Sequence, residues 1–410
     1  MEVLHSCCAG LDVHRDTVVA CARVARNRTV EHHLETFATT TTALERLSCW
    51  LTGYAITHVA MEATGVYWKP VWAVLAEKFE LVLANAMHVK NVPGRKTDTN
   101  DATWLADLLA HGLIRSSFVP PMAIQALRDL TRTRKQLTRE KVSHVERIDK
   151  TLQAANFKLG SVLSDIIGVS GRAILDALAA GESDPERLAD KVRTRIRASR
   201  AHVVEALRGR MSEHQRLLLR IHLRQIDAID VAIAELDEQL GERLEPFRAT
   251  TERLITIPGV STLSAAVIIA EIGVDMTRFP TAAHLVSWAG LCPRNDESAG
   301  KRRSTKLRKG APWLKTLLVQ TAWCAARVKG TYLRALFGRL KARRGPRKAI
   351  IAVAAAILTS AYWMLRRGVA YTDLGPDHFD RVDRTRLAAR LARKLGELGF
   401  DVALSPRKAA

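Results

Sequence analysis

Cysteine is scarce and poorly spaced for metal. The six thiols, Cys7, Cys8, Cys21, Cys49, Cys292 and Cys324, include no Cys-x-x-Cys pair, which excludes a zinc ribbon or finger and points to reduced thiols in a cytosolic protein. Aromatic residues make up only 5% of the chain, so few rings are available to stack on bases. No secretory leader is legible, because His14, Arg15 and Asp16 interrupt the first apolar stretch. The one run that approaches membrane-spanning length, residues 349–365, is rich in alanine and contains Thr359 and Ser360; it reads as a buried helix. The most informative absence is acidic. Residues 298–372 hold eighteen Lys or Arg and neither Asp nor Glu, whereas an ordinary solvated surface mixes both signs.

Over all 410 residues, 63 Lys and Arg stand against 42 Asp and Glu, a formal charge of +21. Such a field attracts polyanions and says nothing about fold. Nucleic acid is the leading partner, with an anionic membrane surface or a ribosomal setting as the other contexts for this charge.

The length exceeds one ordinary core, so several domains are expected. Residues 6–24 read as two β-rich runs around the polar turn His14-Arg15-Asp16-Thr17. Short apolar runs at 56–61 and 81–84 predict further strands. Helical spacing at 65–79 and a closing helix at 101–112 make residues 1–119 an α/β domain. Pro120-Pro121 marks a boundary. Residues 120–250 then read as helical. Leu219, His222, Ile226, Ile229, Ile233, Leu236 and Leu240 alternate steps of three and four, the seam of a coiled coil that either joins two chains or closes a helical hairpin within one. Residues 251–372 form a third, mainly helical region. It opens on Ile257-Pro258-Gly259-Val260, where the helix start either offers backbone N–H groups to a phosphate or is simply a helix start. Residues 373–410 are a tail of mixed charge without assigned chemistry.

Four carboxylates stand where chemistry would need them: Asp12 on the first strand, Glu62 at the end of a later one, and Asp98 with Asp101 at a helix start. Hard oxygen donors suit Mg²⁺, and a pair of such ions stabilises both the attacking and the leaving oxygen in phosphoryl transfer. The offset of three sets Asp98 and Asp101 on one side of a helical turn. Structural readings remain open beside this one: Asp98 as a helix N-cap, Asp101 as a first-turn acid on the helix dipole, Asp12 as a turn residue, Glu62 as a surface acid.

Gly10-Leu11-Asp12-Val13, the string Met61-Glu62-Ala63-Thr64-Gly65-Val66-Tyr67-Trp68, and Lys96-Thr97-Asp98-Thr99-Asn100-Asp101-Ala102 resemble the three acidic motifs of the DEDD transposases of bacterial insertion sequences, relatives of the Piv DNA invertase. Ile257-Pro258-Gly259-Val260, Trp288-Ala289-Gly290-Leu291-Cys292-Pro293, Glu297-Ser298-Ala299-Gly300-Lys301 and Lys309-Gly310-Ala311-Pro312-Trp313-Leu314 resemble that family's transposase domain. The likeness runs from Gly10 to Arg366. It departs at Pro258-Gly259-Val260-Ser261, where many relatives carry a second glycine, and at Gly310-Ala311-Pro312, where they tend to have Gly-Asn.

This resemblance implies an α/β plus α protein. An RNase H-like (RuvC-like) domain in residues 1–119 would hold Mg²⁺, or Mn²⁺ as a substitute, on Asp12, Glu62, Asp98 and Asp101. A coiled-coil linker in 120–250 would lead to a transposase domain in 251–372, whose Ser298, in a basic loop, would attack DNA and form a covalent link. Ser304, six residues on, is a second candidate, and a neutral serine hydroxyl needs activation in either position. The implied partners are donor and target DNA, a bridge RNA, and further copies of the chain in a dimer or tetramer, with no membrane; the implied location is the bacterial cytoplasm, at the nucleoid. Lys301, Arg302, Arg303, Lys306, Arg308 and Lys309 would hold phosphates, which position a duplex without reading it. Trp313 either stacks on a base or serves the core. A plain metal nuclease, with Ser298 structural, is the rival enzyme reading.

Overall fold

A computed structural model describes residues 3–26, 29–63, 65–85, 89, 100–114, 116–193, 195–293, 296–298, 300–304, 306–308, 310–382 and 384–403. The side chains of residues 296–298, 302–303, 382–387 and 390 fall outside that description. Two compact units divide the chain, Met1–Val119 and Pro120–Ala410.

The first unit is a mixed α/β domain. Its five strands are β1 (Cys7–Val13), β2 (Thr17–Arg26), β3 (Thr29–Ala38), β4 (His58–Glu62) and β5 (Glu80–Ala84), in the order β3-β2-β1-β4-β5. The first three form an antiparallel meander, and β4 and β5 continue the sheet in parallel with β1. Alternation along β1 divides the residues between two faces. Ala9, Leu11 and Val13 pack into a core with Leu44, Leu47 and Leu51 of α1 (Thr41–Gly53) and Val71 and Leu75 of α2 (Trp68–Leu75). The opposite face carries Cys8, Cys21 and Ala60, all small and fully buried, beneath α3 (Asp101–Ala110). Neither β3 nor α1 was legible as an element. β3 reads Thr-Val-Glu-His-His-Leu-Glu-Thr-Phe-Ala and is mostly exposed, so it lacks the apolar alternation that marks a half-buried strand.

The second unit is mostly helical. Helices α4 (Met122–Ala154) and α9 (Glu213–Leu244) pair side by side. Arg134 meets Asp237, Lys141 meets Asp230, and His144 meets His222; one number rises as the other falls, so the helices are antiparallel. Between them come α5 (Leu159–Val162), α6 (Val169–Ala180), α7 (Pro185–Ala189) and α8 (Arg200–Ala206), which form a core with Ile148 and Leu152 of α4 and Leu219, Leu223 and Ile226 of α9. Of the two readings of the heptad seam, the hairpin within one chain is the one found. Ile226, Ile229 and Leu240 are buried and Ile233 and Leu236 half-buried in a single copy.

The other end of the hairpin roots in a second core. Ile124, Leu127, Leu240 and Leu244 join α10 (Arg248–Leu254), α11 (Thr262–Ile272), α12 (Ala282–Trp288), α13 (Pro312–Ala325), α14 (Tyr332–Arg344) and α15 (Pro346–Arg367). α15 contains the apolar run and is long and apolar enough to cross a membrane by length and composition. Its Val353, Ala354, Ile357, Leu358 and Ala361 have no exposed surface, which makes it the central helix of this core. Helices α16 (His378–Val382) and α17 (Arg384–Glu397) end the described chain.

Candidate active site

Register brings the first two acids side by side. β1 and β4 are parallel, with Gly10 opposite Ala60 and Leu11 opposite Met61 as the last paired positions, so Asp12 and Glu62 are the residues that come next at the same end of the two neighbouring strands. Both follow the parity of Gly10 and Ala60 and therefore belong to the face that α3 covers. α3 lies directly on β1: a Cβ built on Gly10 would stand 2.1 Å from the Ala102 carbonyl oxygen and 2.5 Å from the Ala106 nitrogen. Cys8 Sγ lies 3.4 Å from the Ala106 carbonyl oxygen. As β1 advances from Cys8 to Gly10, α3 recedes from Ala106 to Ala102, so the helix start faces the strand end that bears Asp12. Glycine at position 10 is what permits this approach.

Asp101 is the first residue of α3 and half-buried. The cap is Asn100, whose side chain accepts from the Ala102 N–H at 2.9 Å, so Asp98 is not the cap of this helix. α3 begins at Asp101, and Asp98, expected on the same helical turn, lies outside the described residues. Asp12 is 24% exposed and 3.2 Å from His14 Nε2, a partner that sequence reading passed over although it is two positions away.

Asp12, Glu62 and Asp101 supply only carboxylate oxygens, a donor set that fits Mg²⁺ or Mn²⁺ better than a softer metal. Among the described residues no three His, Cys, Asp or Glu side chains form a ready metal group. Asp107, six residues further along α3, serves the fold instead. Arg23, buried in β2, donates to it at 2.9 Å, and His32 lies 3.1 Å from the same oxygen.

In the second unit, β6 (Asp296–Ser298) and β7 (Lys301–Ser304) form a hairpin in which Ser298 pairs with Lys301 and Asp296 with Ser304. The expected loop is thus a strand end: Ser298 is the last residue before the turn, and Gly300 follows with φ +72°. The Ser304 Oγ accepts from the Lys306 N–H at 3.2 Å, and the Ser298 side chain lies outside the described residues. Two motif glycines clamp the base of the hairpin. A Cβ on Gly310 would stand 2.4 Å from the Gly290 nitrogen, and Gly290 has φ +72°, so the Trp288–Pro293 and Lys309–Leu314 motifs meet backbone to backbone. Lys301, Lys306 and Arg308 are exposed around it, while Lys309 and the side chains of Arg302 and Arg303 lie outside the described residues. Behind the Ile257-Pro258-Gly259-Val260 turn, α11 starts with the Ser261 hydroxyl accepting the Ser264 N–H.

Comparison with known proteins agrees with the likeness in the motifs. A transposase profile of the DEDD IS110 type matches residues 9–157, and a profile described as the transposase IS116/IS110/IS902 family matches residues 251–337. An insertion element IS110 uncharacterized 43.6 kDa protein of Streptomyces coelicolor is 32% identical over 149 residues, 34% of this chain and 35% of that protein. A putative transposase, y4pF/y4sB, of Sinorhizobium fredii is 24% identical over 329 residues, 77% of this chain and 74% of the relative. The mini-circle putative transposase for IS117 of Streptomyces coelicolor is 38% identical over 88 residues, 22% of this chain and 20% of that one. The alignments thus span about a third of the first relative and a fifth of the last. Two transposase profiles, matched in order along one chain and together covering more than half of it, place this protein in the IS110 family of transposases.

Proposed function

We propose that the protein cuts and rejoins DNA to move an insertion element, using metal-binding acids in an RNase H-like first unit and Ser298 as the nucleophile. The observation that carries this reading is the adjacency of Asp12 and Glu62 at the ends of parallel strands, on the face where α3 begins with Asp101. The meander of three antiparallel strands continued by two parallel ones supports the RNase H-like assignment. The acid-free stretch that follows Ser298 supports DNA as the substrate.

Asp12, Glu62, Asp98 and Asp101 would hold Mg²⁺ or Mn²⁺, which when bound offsets negative charge on a phosphate. The Ser298 hydroxyl loses its proton and forms a P–O bond to the scissile phosphate. The bond from phosphorus to the leaving deoxyribose oxygen breaks, and that oxygen takes up a proton. A diester replaces a diester, so the reverse attack by a deoxyribose hydroxyl rejoins DNA without an external energy source. The exposed Lys301, Lys306 and Arg308 position the backbone around the serine. Because recombination needs several cuts, more than one copy acts in the complex, and a bridge RNA that pairs with donor and target supplies the choice of sequence. The bacterial cytoplasm, at the nucleoid, is where such an enzyme would meet its DNA.

The test is a recombination assay with element ends, target DNA and the element's own noncoding RNA. Ser298→Ala should bind DNA yet leave no covalent protein–DNA product on a denaturing gel, and Asp12→Asn or Glu62→Gln should abolish cleavage. A normal adduct from Ser298→Ala, lost instead in Ser304→Ala, would move the nucleophile to Ser304. Cleavage that persists in both acid variants would remove the metal site.

A further inference from the structure

A recess in the second unit, of about 120 Å³, is walled by α4, α11 and α13. Its aromatic wall is Trp313, half-buried in the first turn of α13. From α4 come Arg132, Lys135 and Arg139, at steps of three and four that put them on one helix face. The Arg132 and Arg139 guanidinium carbons lie 5.6 and 5.1 Å from the Trp313 ring centre.

These cations differ in what holds them. Arg132 donates to both oxygens of the buried Glu271, at 2.8 and 2.9 Å, so its charge is compensated and its position fixed. Lys135 and Arg139 have no carboxylate partner among the described residues, and Arg139 is exposed. An exposed arginine over a ring is held only weakly. It can exchange that contact for a charge-assisted bond to phosphate and uncover the ring. α13 also opens without a side-chain cap and without an acid in its first turn, which leaves N–H donors of the same sign nearby.

We propose that this recess takes one unpaired nucleotide, its base stacked on Trp313 and its phosphate held by Lys135 and Arg139. The proposal rests on the nucleic-acid function argued above. An unpaired nucleotide is required because a base inside a duplex has both faces stacked and cannot enter a recess. The shared chemistry is a base plus a phosphate, available from displaced DNA or from RNA.

The experiment measures binding of the full chain to labelled oligo-dT, oligo-U and a duplex, by fluorescence anisotropy over a range of salt. Trp313→Ala should weaken binding of the unpaired strands by about 5- to 150-fold, the size of one stacked base, while Trp313→Phe retains most of it. The surface pair Lys135→Gln with Arg139→Gln should lower the salt slope on unpaired strands by about 0.7, the share of one phosphate, with duplex affinity unchanged. Whichever of oligo-dT and oligo-U shows these losses identifies the source. Unchanged binding of unpaired strands by Trp313→Ala and by the double variant would overturn the proposal while leaving the transposase reading intact. A wild-type chain that binds neither strands nor duplex would overturn both.

Discussion

Gly10 and Gly310 each place backbone against backbone where a methyl group has no room. At Gly10 the obstruction is the α3 main chain, and at Gly310 it is the main chain of Gly290. Neither obstruction is the flexible end of a side chain, so Gly10→Ala and Gly310→Ala must each shift an element. Each should cost about 1–3 kcal/mol, the range for overpacking a filled site. The two differ in what moves. Gly10→Ala lifts α3, and with it Asp101, off the sheet end, whereas Gly310→Ala displaces the base of the β6–β7 hairpin. Both should lower the urea midpoint, and Gly53→Ala, with nothing within 4 Å of its added Cβ, is the control. Equal midpoints for Gly10→Ala and Gly53→Ala would contradict the close contact with α3.

At the scale of elements, the α4–α9 hairpin has a pH-sensitive joint. The His144 and His222 Nδ1 atoms are 3.1 Å apart. Burial, then His144 and Arg147, push the His222 imidazole below its ordinary value. The unfolded imidazole takes up a proton near pH 6.5, but the folded one resists it until a lower pH. The stability linked to His222 is therefore complete above about pH 6.5 and is lost as the pH falls below that value. The urea midpoint should drop between pH 7.5 and pH 5, and His222→Gln should flatten that drop. His5 in the first unit is shifted in the same direction, so the difference between wild type and variant is the measure. The depressed Asp227 and Asp237 carboxylates lose their contribution only at more acid pH. A His222→Gln chain with the wild-type slope would remove the joint.

For the whole molecule the governing quantity is charge and where it is concentrated. The chain carries +21, and the stretch that begins at Ser298 contributes eighteen cations without an acid. Phosphate contacts release counterions, so affinity for duplex DNA should fall steeply with salt, by about 0.9 in logarithmic slope per phosphate neutralised. Replacing the exposed Lys301, Lys306 and Arg308 by Gln should reduce that slope by about 2–3, with equal loss on unrelated sequences, because phosphate contacts carry no sequence information. An unchanged slope would place the DNA on another surface.

What the sequence determined by itself was local. Periodicity and punctuation located β1, β2, β4, β5, α3 and α11, because alternation, helical spacing and turn residues act over a few positions. The acids Asp12, Glu62 and Asp101 and the hairpin serine were legible as motifs. The tertiary structure decided which of these meet. The arrival of Asp12 and Glu62 at the same end of neighbouring strands depends on the β1–β4 register across fifty residues, and the contact of Gly290 with Gly310 depends on two motifs closing on each other. The heptad seam could not choose between two chains and one, since an apolar stripe demands burial without naming its cover; α4, antiparallel and in the same chain, supplies it. Trp313 could not be assigned to core or ligand either, because the α4 cations beside it come from about 180 positions earlier in the chain. Such contacts arise from packing at long sequence separation, which a pattern over neighbouring residues does not encode.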